Sequence, residues 1–315
     1  MKTKKLKSNL LLLLAATIWG FAFVAQVVGG KYIGAFTFNA VRFALGSISL
    51  IPLILFYNDS EKKHEHFKEL KKAFWPGIIV GIFIFLGSSF QQVGIAYTTA
   101  GKAAFITGLY IVIVPIFGVF LKQHININNW IGVIVAVIGL YFLCITDKFS
   151  ISYGDFLQLI CAFFFAVQIL LIDNFSKKLN ILKLAFIQFV TCSMLSLVSA
   201  LFVEKISMSS ILLAAVPILY GGILSCGVAY TLQIVAQKNA EPSQAAIIMS
   251  MEAVFGSIGG VLILKESIGI RGAWGCALML MGMLLAQINI KKKDNSSCDV
   301  QRSEVKGEDK SATDF

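Results

Sequence analysis

Six side chains that could bind or position a small solute lie inside long apolar runs of this sequence. They are one acid, one base, two amides and two aromatic residues: Glu252, Arg42, Gln91, Gln233, Trp19 and Tyr110. A charged side chain at the centre of a membrane helix costs about 2.5–3.5 kcal/mol on insertion scales, so Glu252 needs a compensating role. Either Glu252 binds substrate or a proton, or it pairs with Arg42 or caps a kinked neighbouring helix.

The other five residues each have two interpretations. The long side chain of Arg42 can snorkel to the outer headgroups, and we expect this structural role for it. Gln91 and Gln233 either line a cavity or hydrogen-bond between helices, and their related positions favour a common cavity. Trp19 and Tyr110 either stack on a solute or act as packing and interfacial anchors.

The elements that must position these residues are membrane helices. Of the 315 residues 57% are hydrophobic and only 14% are charged, whereas a soluble domain is roughly half apolar and a quarter charged. The apolar residues fall in runs of about 20, the length that crosses ~30 Å of hydrocarbon as a helix. The ten runs cover 9–28, 35–57, 74–97, 101–121, 129–146, 154–173, 182–203, 211–234, 243–264 and 270–290. The sequence therefore predicts an all-α membrane protein with ten transmembrane helices.

Basic residues predict the orientation of these helices. With the N-terminus in the cytoplasm, 20 of the 27 Lys and Arg residues fall on the inner side and six on the outer side. This bias places both termini on the cytoplasmic side of a bacterial plasma membrane. Residues 1–8 are then a cytoplasmic segment, and the polar residues 291–315 are predicted to be a disordered cytoplasmic tail.

The sequence also repeats itself weakly. A shift of 142 residues places Gln91 on Gln233, and a shift of 146 places Ala16 on Ala162. Each half holds five predicted helices, and an odd number turns the second half upside down relative to the first. Inverted repeats are typical of secondary transporters, whose solute site lies near the midplane where the halves meet. The two inverted five-helix halves are residues 9–146 and 154–290.

Short motifs in this order resemble the EamA-type transporters of the drug/metabolite transporter superfamily. The motifs are Ile18-Trp19-Gly20, Arg42-Phe43, Leu109-Tyr110 leading to Pro115, Trp130-Ile131-Gly132, Glu252-Ala253-Val254-Phe255 and Leu264-Lys265-Glu266. The resemblance covers roughly residues 9 to 290 and each motif is short. It departs from the family at Ala253, where a proline is common, so we expect the ninth helix to be straighter there.

The resemblance implies a secondary transporter that moves a small metabolite, most often an amino acid or a related compound, by alternating access. It implies export or exchange across the bacterial plasma membrane, with export favoured, and leaves open whether protons are coupled. Its expected partners are the solute, membrane lipid and, if coupling exists, protons; the sequence leaves the oligomeric state open. Two alternatives remain: a membrane scaffold or receptor that transports nothing, and, less favoured, an intramembrane enzyme.

Several other functions find no support in the sequence. No histidine falls in a predicted helix, and no nucleophile stands with a base at membrane depth, so we expect no enzymatic activity. Five of the six cysteines lie in predicted helices without paired spacing, so we expect neither a metal ion nor another cofactor. The net charge of +10 follows from topology and from attraction to anionic lipid, and no basic face with aromatic residues points to nucleic acid.

Overall fold

A computed structural model describes residues 2–57, 63–120, 127–144, 152–267 and 269–287. The regular elements in these ranges are all helical, and the ranges contain no strand. Eight helical stretches within them are long and apolar enough to cross a membrane. They are Lys4–Gly29, Ala35–Leu55, Lys68–Ile95, Ala100–Phe120, Tyr153–Ser176, Ile181–Val203, Ala215–Gln237 and Pro242–Leu264.

The helices follow the predicted apolar runs closely. Their bounds are α1 Lys2–Gly29, α2 Ala35–Tyr57, α3 Lys63–Ile95, α4 Ala100–Thr107, α5 Tyr110–Phe120, α6 Ile127–Cys144, α7 Tyr153–Ser176, α8 Ile181–Val203, α9 Met208–Leu213, α10 Ala215–Leu219, a π-helix Tyr220–Tyr230, α11 Thr231–Gln237, α12 Pro242–Met249, α13 Glu252–Leu264 and α14 Ile270–Gln287. α1 begins at Lys2, so it includes most of the segment predicted to precede the first span. The predicted tail, 291–315, lies outside the described residues.

The all-helical membrane fold is confirmed, and the count of ten crossings stays a prediction. α6 and α14 occupy the fifth and tenth predicted runs, and each is 18 residues long. At ~1.5 Å rise per residue, 18 residues reach about 27 Å, slightly less than the hydrocarbon core. The two helices pack directly on each other: a Cβ on Gly139 would lie 2.7 Å from the backbone O of Gly275.

Glycines bring other helices together in the same way. A Cβ on Gly77 would lie 2.7 Å from the Ile187 Cβ, and one on Gly81 would lie 2.6 Å from the Thr191 Cβ, so α3 and α8 approach closely. Small residues four positions apart allow this approach in membrane helices. This glycine pair therefore has a packing role in the structure.

Two buried clusters flank the centre of the bundle. The larger joins α1, α4, α5, α12 and α13, and the second joins α2, α3, α8 and the π-helix. Trp19 on α1 packs against both clusters. The space between the clusters is where the predicted site residues meet.

Two of the membrane-length stretches are interrupted at the predicted repeat spacing. α4 gives way to α5 at residues 108–109, and α12 gives way to α13 at residues 250–251. In each turn an N–H donates to the carbonyl oxygen three residues back. The N···O distance is 3.1 Å for Leu109 and 3.2 Å for Met251. Such bonds mark a tight 3₁₀ turn. The two stretches thus share a local geometry, while the inverted arrangement of the halves stays a prediction.

The second interruption corrects the expectation drawn from Ala253. We expected a straighter helix because the family's proline is missing, yet the helix breaks directly before Glu252. The Ser250 hydroxyl donates to the Ile247 carbonyl oxygen at 2.8 Å. A serine side chain that bonds back onto its own helix offers the backbone an alternative partner, so a bend needs no proline.

Candidate functional site

One cavity brings all six predicted site residues together. Its lining includes Trp19, Arg42, Gln91, Tyr110, Gln233 and Glu252. They come from six different helical elements: α1, α2, α3, α5, α11 and α13. The centres of water molecules can reach about 40 Å³ within the cavity, and one water needs about 10–15 Å³ of such space. In this conformation the cavity has room for a few waters.

The repeat spacing relates residues of the first half to residues of the second half around the cavity. Gln91 and Gln233 are 142 residues apart, and so are Tyr110 and Glu252. Tyr110 and Glu252 also begin the second helix after each interruption, so they occupy the same place in their respective turns. The cavity therefore lies where matching parts of the two halves meet.

Glu252 is buried and only partly satisfied. It is 4% exposed, and its Oε1 has no hydrogen-bond partner. The Tyr110 hydroxyl is its polar neighbour, and that hydroxyl also lacks a hydrogen bond of ordinary length. A buried polar atom without a partner is costly and suggests an absent ligand or water.

Arg42 does not reach the surface. The residue is 4% exposed, and its guanidinium carbon lies 5.4 Å from the Phe38 ring centre and 5.0 Å from the Phe43 ring centre. These distances are typical of cation–π contacts, which hold an arginine without neutralising it. The expected snorkelling of Arg42 to the headgroups is therefore wrong for this structure, because the two rings hold the side chain against the cavity.

The predicted alternative pairing of Arg42 with Glu252 is not formed. Within the described residues no nitrogen of Arg42 lies within 4.0 Å of a carboxylate oxygen, and the Arg42 Nε has no hydrogen-bond partner. One cavity thus contains a buried cation and a buried carboxyl group that do not neutralise each other directly.

Both predicted glutamines line the cavity and also bond between helices. The Gln91 Nε2 donates to the Thr107 hydroxyl at 3.5 Å. The Gln233 Nε2 donates to the Gln168 Oε1 at 3.3 Å, and the Gln168 Nε2 donates to the Gln233 Oε1 at 3.4 Å. These distances are long for hydrogen bonds, so the amides are held weakly and could turn toward a solute. The two interpretations of the glutamines are compatible.

Comparison with known proteins now bears on this arrangement. The sequence profile of the EamA-like transporter family matches residues 6–145 and, a second time, residues 152–287. The chain belongs to the EamA-like transporter family. The two matches coincide closely with the two predicted halves, and membership places the chain among the multi-pass membrane transporters of the drug/metabolite transporter superfamily.

Relatives of this EamA-like transporter agree with that membership. A protein of Archaeoglobus fulgidus described as an uncharacterized transporter is 32% identical over 91% of this chain and 88% of its own length. The uncharacterized transporter YoaV of Bacillus subtilis is 23% identical, over 88% of this chain and 95% of its own. A solved crystal structure aligns with a TM-score of 0.71 at 17% identity, covering 89% of this chain and 96% of that one. That structure shares the fold.

Trp19 is anchored in this EamA-like transporter. Its indole Nε1 donates to the backbone oxygen of Ser225 at 3.2 Å, and its ring meets the Tyr230 ring edge-on, with centres 4.8 Å apart. Ser225 and Tyr230 belong to the π-helix, a rare element that is frequent at functional sites. These contacts give Trp19 a packing role and leave it on the cavity wall.

Gln26, Ser225 and Tyr230 are among the lining residues that were not predicted from the sequence. Gln26 lies seven residues after Trp19, about two helical turns, so it shares the Trp19 face of α1. That spacing was a usable signal. Ser225 and Tyr230 carried none, since small and aromatic residues are common throughout membrane helices. Within the described part of the chain, no group of three His, Cys, Asp or Glu residues could hold a metal ion.

Proposed function

We propose that this chain is a secondary transporter that carries a small zwitterionic metabolite, such as an amino acid or a related compound, through the central cavity by alternating access. The observation that carries the proposal is that a buried guanidinium group, Arg42, and a buried carboxyl group, Glu252, line a single cavity without pairing with each other. A zwitterionic solute would give the Arg42 guanidinium and the Glu252 carboxyl group an ionic partner at the same time. Each charge would then gain the partner that its burial requires.

Arg42 binds the carboxylate of the solute in this proposal. A guanidinium group offers several donors in a planar fork that matches the two carboxylate oxygens. The rings of Phe38 and Phe43 hold the group in place before the solute arrives. Little side-chain entropy is then lost on binding, which favours affinity.

Glu252 and Tyr110 bind the ammonium group at the other end of the solute. The carboxyl oxygen accepts a hydrogen bond from the ammonium group, and the Tyr110 hydroxyl oxygen can accept a second one. When the solute leaves, the Glu252 carboxyl can take up a proton in place of the ammonium group. Such an exchange would couple transport to a proton gradient.

The size of the cavity supports a mechanism in which the helices move. The reachable space of about 40 Å³ admits waters but not a whole amino acid. A solute therefore enters after one end of the bundle opens, and leaves after the other end opens. Export is the direction that the family resemblance favours, and the basic residues favour an orientation with both termini in the cytoplasm.

Flux measurements in proteoliposomes test this proposal. The standard amino acids are screened as radiolabelled solutes, with and without a pH gradient, and a transported one is then challenged with its methyl ester and its N-acetyl derivative. The ester lacks the carboxylate and the N-acetyl form lacks the ammonium group. Each should compete at least about tenfold more weakly, because a hydrogen bond to a charged group contributes about 1.5–3 kcal/mol.

The variant Arg42→Gln tests whether Arg42 binds the carboxylate of the solute. This variant should no longer distinguish the amino acid from its methyl ester, while it still prefers the amino acid to the N-acetyl form. Lys177→Gln is the control, since it removes a base from a half-exposed ion pair with Asp173. Transport of none of the standard amino acids, or full discrimination in Arg42→Gln, would contradict the proposal.

A further inference from the structure

Carboxylates tie the two matched segments together at one end of the bundle. At this end, named here the Lys102 end, α2, α4 and α7 begin and α8 and α13 end. The Lys102 Nζ lies 2.7 Å from Asp155 Oδ2, and the Thr98 hydroxyl donates to Asp155 Oδ1 at 3.0 Å. The Ala100 N–H donates to Glu266 Oε1 at 3.2 Å. Both acids belong to the second matched segment, and their partners belong to the first.

All of these bonds converge on the beginning of α4. Thr98 and Ala100 stand at its N-terminus, and Lys102 lies in its first turn. The backbone N–H groups at a helix N-terminus carry partial positive charge, so two carboxylates there are favourable. The Asp155 side chain is 6% exposed and that of Lys102 is 33% exposed, so water screens their attraction less than at an open surface.

The chain is shaped to bring Glu266 to this place. Lys265 ends α13 with φ of 58°, a left-handed conformation that favours glycine. The turn directs the Glu266 N–H onto the Gly260 carbonyl oxygen at 3.0 Å. The side chain of Glu266 then points back across the bundle to α4.

α4 connects this end of the bundle with the cavity. It is eight residues long, about 12 Å, and it ends at Thr107, which contacts Gln91 and Gln158 by hydrogen bonds. Tyr110 follows directly after the 3₁₀ turn at residues 108–109. A displacement of α4 about that turn would therefore open the cavity toward the Lys102 end.

At the opposite end, the repeat spacing places neutral residues at the positions that correspond to Lys102 and Asp155. The spacing of 142 that relates Gln91 to Gln233 places Gln244 at the position of Lys102, and the spacing of 146 that relates Ala16 to Ala162 places Asn9 at the position of Asp155. The neutral residues Gln244 and Asn9 thus correspond to the ion pair of Lys102 and Asp155. A tie between segments does exist there, since Lys183 binds Glu69 at 2.7 Å, but it joins α8 to α3 and leaves α12 out.

We propose that α4 is a gate hinged at residues 108–109, and that Asp155 and Glu266 form a latch that holds it closed at the Lys102 end. This inference rests on the proposed transport function and on the predicted orientation, which makes the Lys102 end the outer one. A bond that exists in one conformation alone shifts the equilibrium toward that conformation. The latch therefore favours the state closed to the outside, and its removal favours outward opening.

Thiol labelling tests the latch without needing a solute or a gradient. Ala22, which lines the cavity, is replaced by cysteine in a background without the six native cysteines. Intact cells receive a small membrane-impermeant thiol reagent from outside. Lys102→Gln and Glu266→Gln should each raise the labelling rate, and the double variant should raise it by about tenfold or more. The reason is that these substitutions remove charged hydrogen bonds that only the closed state contains, so they destabilise that state alone.

Two further variants separate a latch from a structural tie. Asp155→Asn also perturbs the Ser152 capping box of α7, whereas Lys102→Gln leaves that cap intact. If Asp155→Asn does not fold, the Lys102→Gln variant alone tests this ion pair. Asp173→Asn is the matched control, because it breaks an ion pair of the same 2.7 Å length within α7 and should leave the rate unchanged. Folded Lys102→Gln and Glu266→Gln proteins that label no faster than this control would overturn the latch. Since no transport is measured, a failure of the proposed function would leave this result readable.

Discussion

At the scale of single residues, the unusual feature is that Arg42 and Glu252 are both buried and both without an ionic partner. Each would cost about 2.5–3.5 kcal/mol at the centre of a membrane helix. Direct pairing would offset part of that cost, yet no such pair is present among the described residues. In the proposed function, a solute that binds both groups accounts for their retention.

A double-mutant cycle measures the missing pair. We expect the interaction energy between Arg42→Gln and Glu252→Gln in the solute-free protein to stay below the roughly 3–5 kcal/mol of a broken buried ion pair, because no such pair is present among the described residues. Glu252→Gln should fold and insert normally yet lose gradient-driven transport, and adding Arg42→Gln should not restore it. A double variant that regains the stability lost in either single variant would instead indicate a structural ion pair.

Residue depth and repeat spacing predicted six residues that the structure brings to one cavity. Gln91, Gln233 and Glu252 were found because polar groups inside apolar runs are rare. The place of Arg42 could not be predicted, since the same sequence permits an arginine that snorkels and one that is held inward by Phe38 and Phe43. That choice depends on how α2 packs, which is a tertiary property.

At the scale of helices, close glycine contacts determine which elements can approach. Gly81→Ala should lower the stability by about 1–3 kcal/mol, the usual cost of overpacking, because its Cβ would lie 2.6 Å from the Thr191 Cβ and 2.9 Å from the Gln188 carbonyl oxygen. Gly269→Ala is the control, since no atom of the described residues lies within 4 Å of a Cβ there. Thermal unfolding in detergent compares the two, and equal midpoints would contradict the packing of α3 on α8.

The left-handed residue at the end of α13 gives a second test. Lys265→Gly should stabilise the protein relative to Lys265→Ala by about 1 kcal/mol, because both remove the charge but only glycine adopts a φ of 58° without strain. The same unfolding measurement applies. An alanine variant as stable as the glycine variant would mean that the chain does not need this conformation.

The interruptions within the helices were the part of the fold that the sequence hid. Apolar runs predicted where helices begin and end, since hydrophobicity and length dominate that choice in a bilayer. The break before Glu252 has no proline in α12 after its first residue, and the π-helix Tyr220–Tyr230 contains none, although Pro217 lies three residues before it. Both depend on local hydrogen bonds, such as that of Ser250, and on packing against α1 and α2.

At the scale of the whole molecule, the distribution of basic residues predicts the orientation in the membrane. Reporter fusions after Asp59 and Ile290 should report the cytoplasm, and fusions after Asp147 and Glu204 the outside. Cys298 provides an independent check, because an impermeant thiol reagent should label it only in opened cells. A periplasmic signal after Ile290 would remove the ten-helix topology.

The central claim is that a zwitterionic solute occupies the cavity between Arg42 and Glu252, and solute protection of a cavity cysteine tests it most directly. Gln233→Cys, in a background without the native cysteines, is treated with a small water-soluble thiol reagent in the presence and absence of the standard amino acids. We predict that the cysteine reacts, that at least one amino acid slows the reaction, and that Arg42→Gln abolishes this protection. A cysteine that reacts at the same rate with every amino acid present, or that never reacts, would contradict the account.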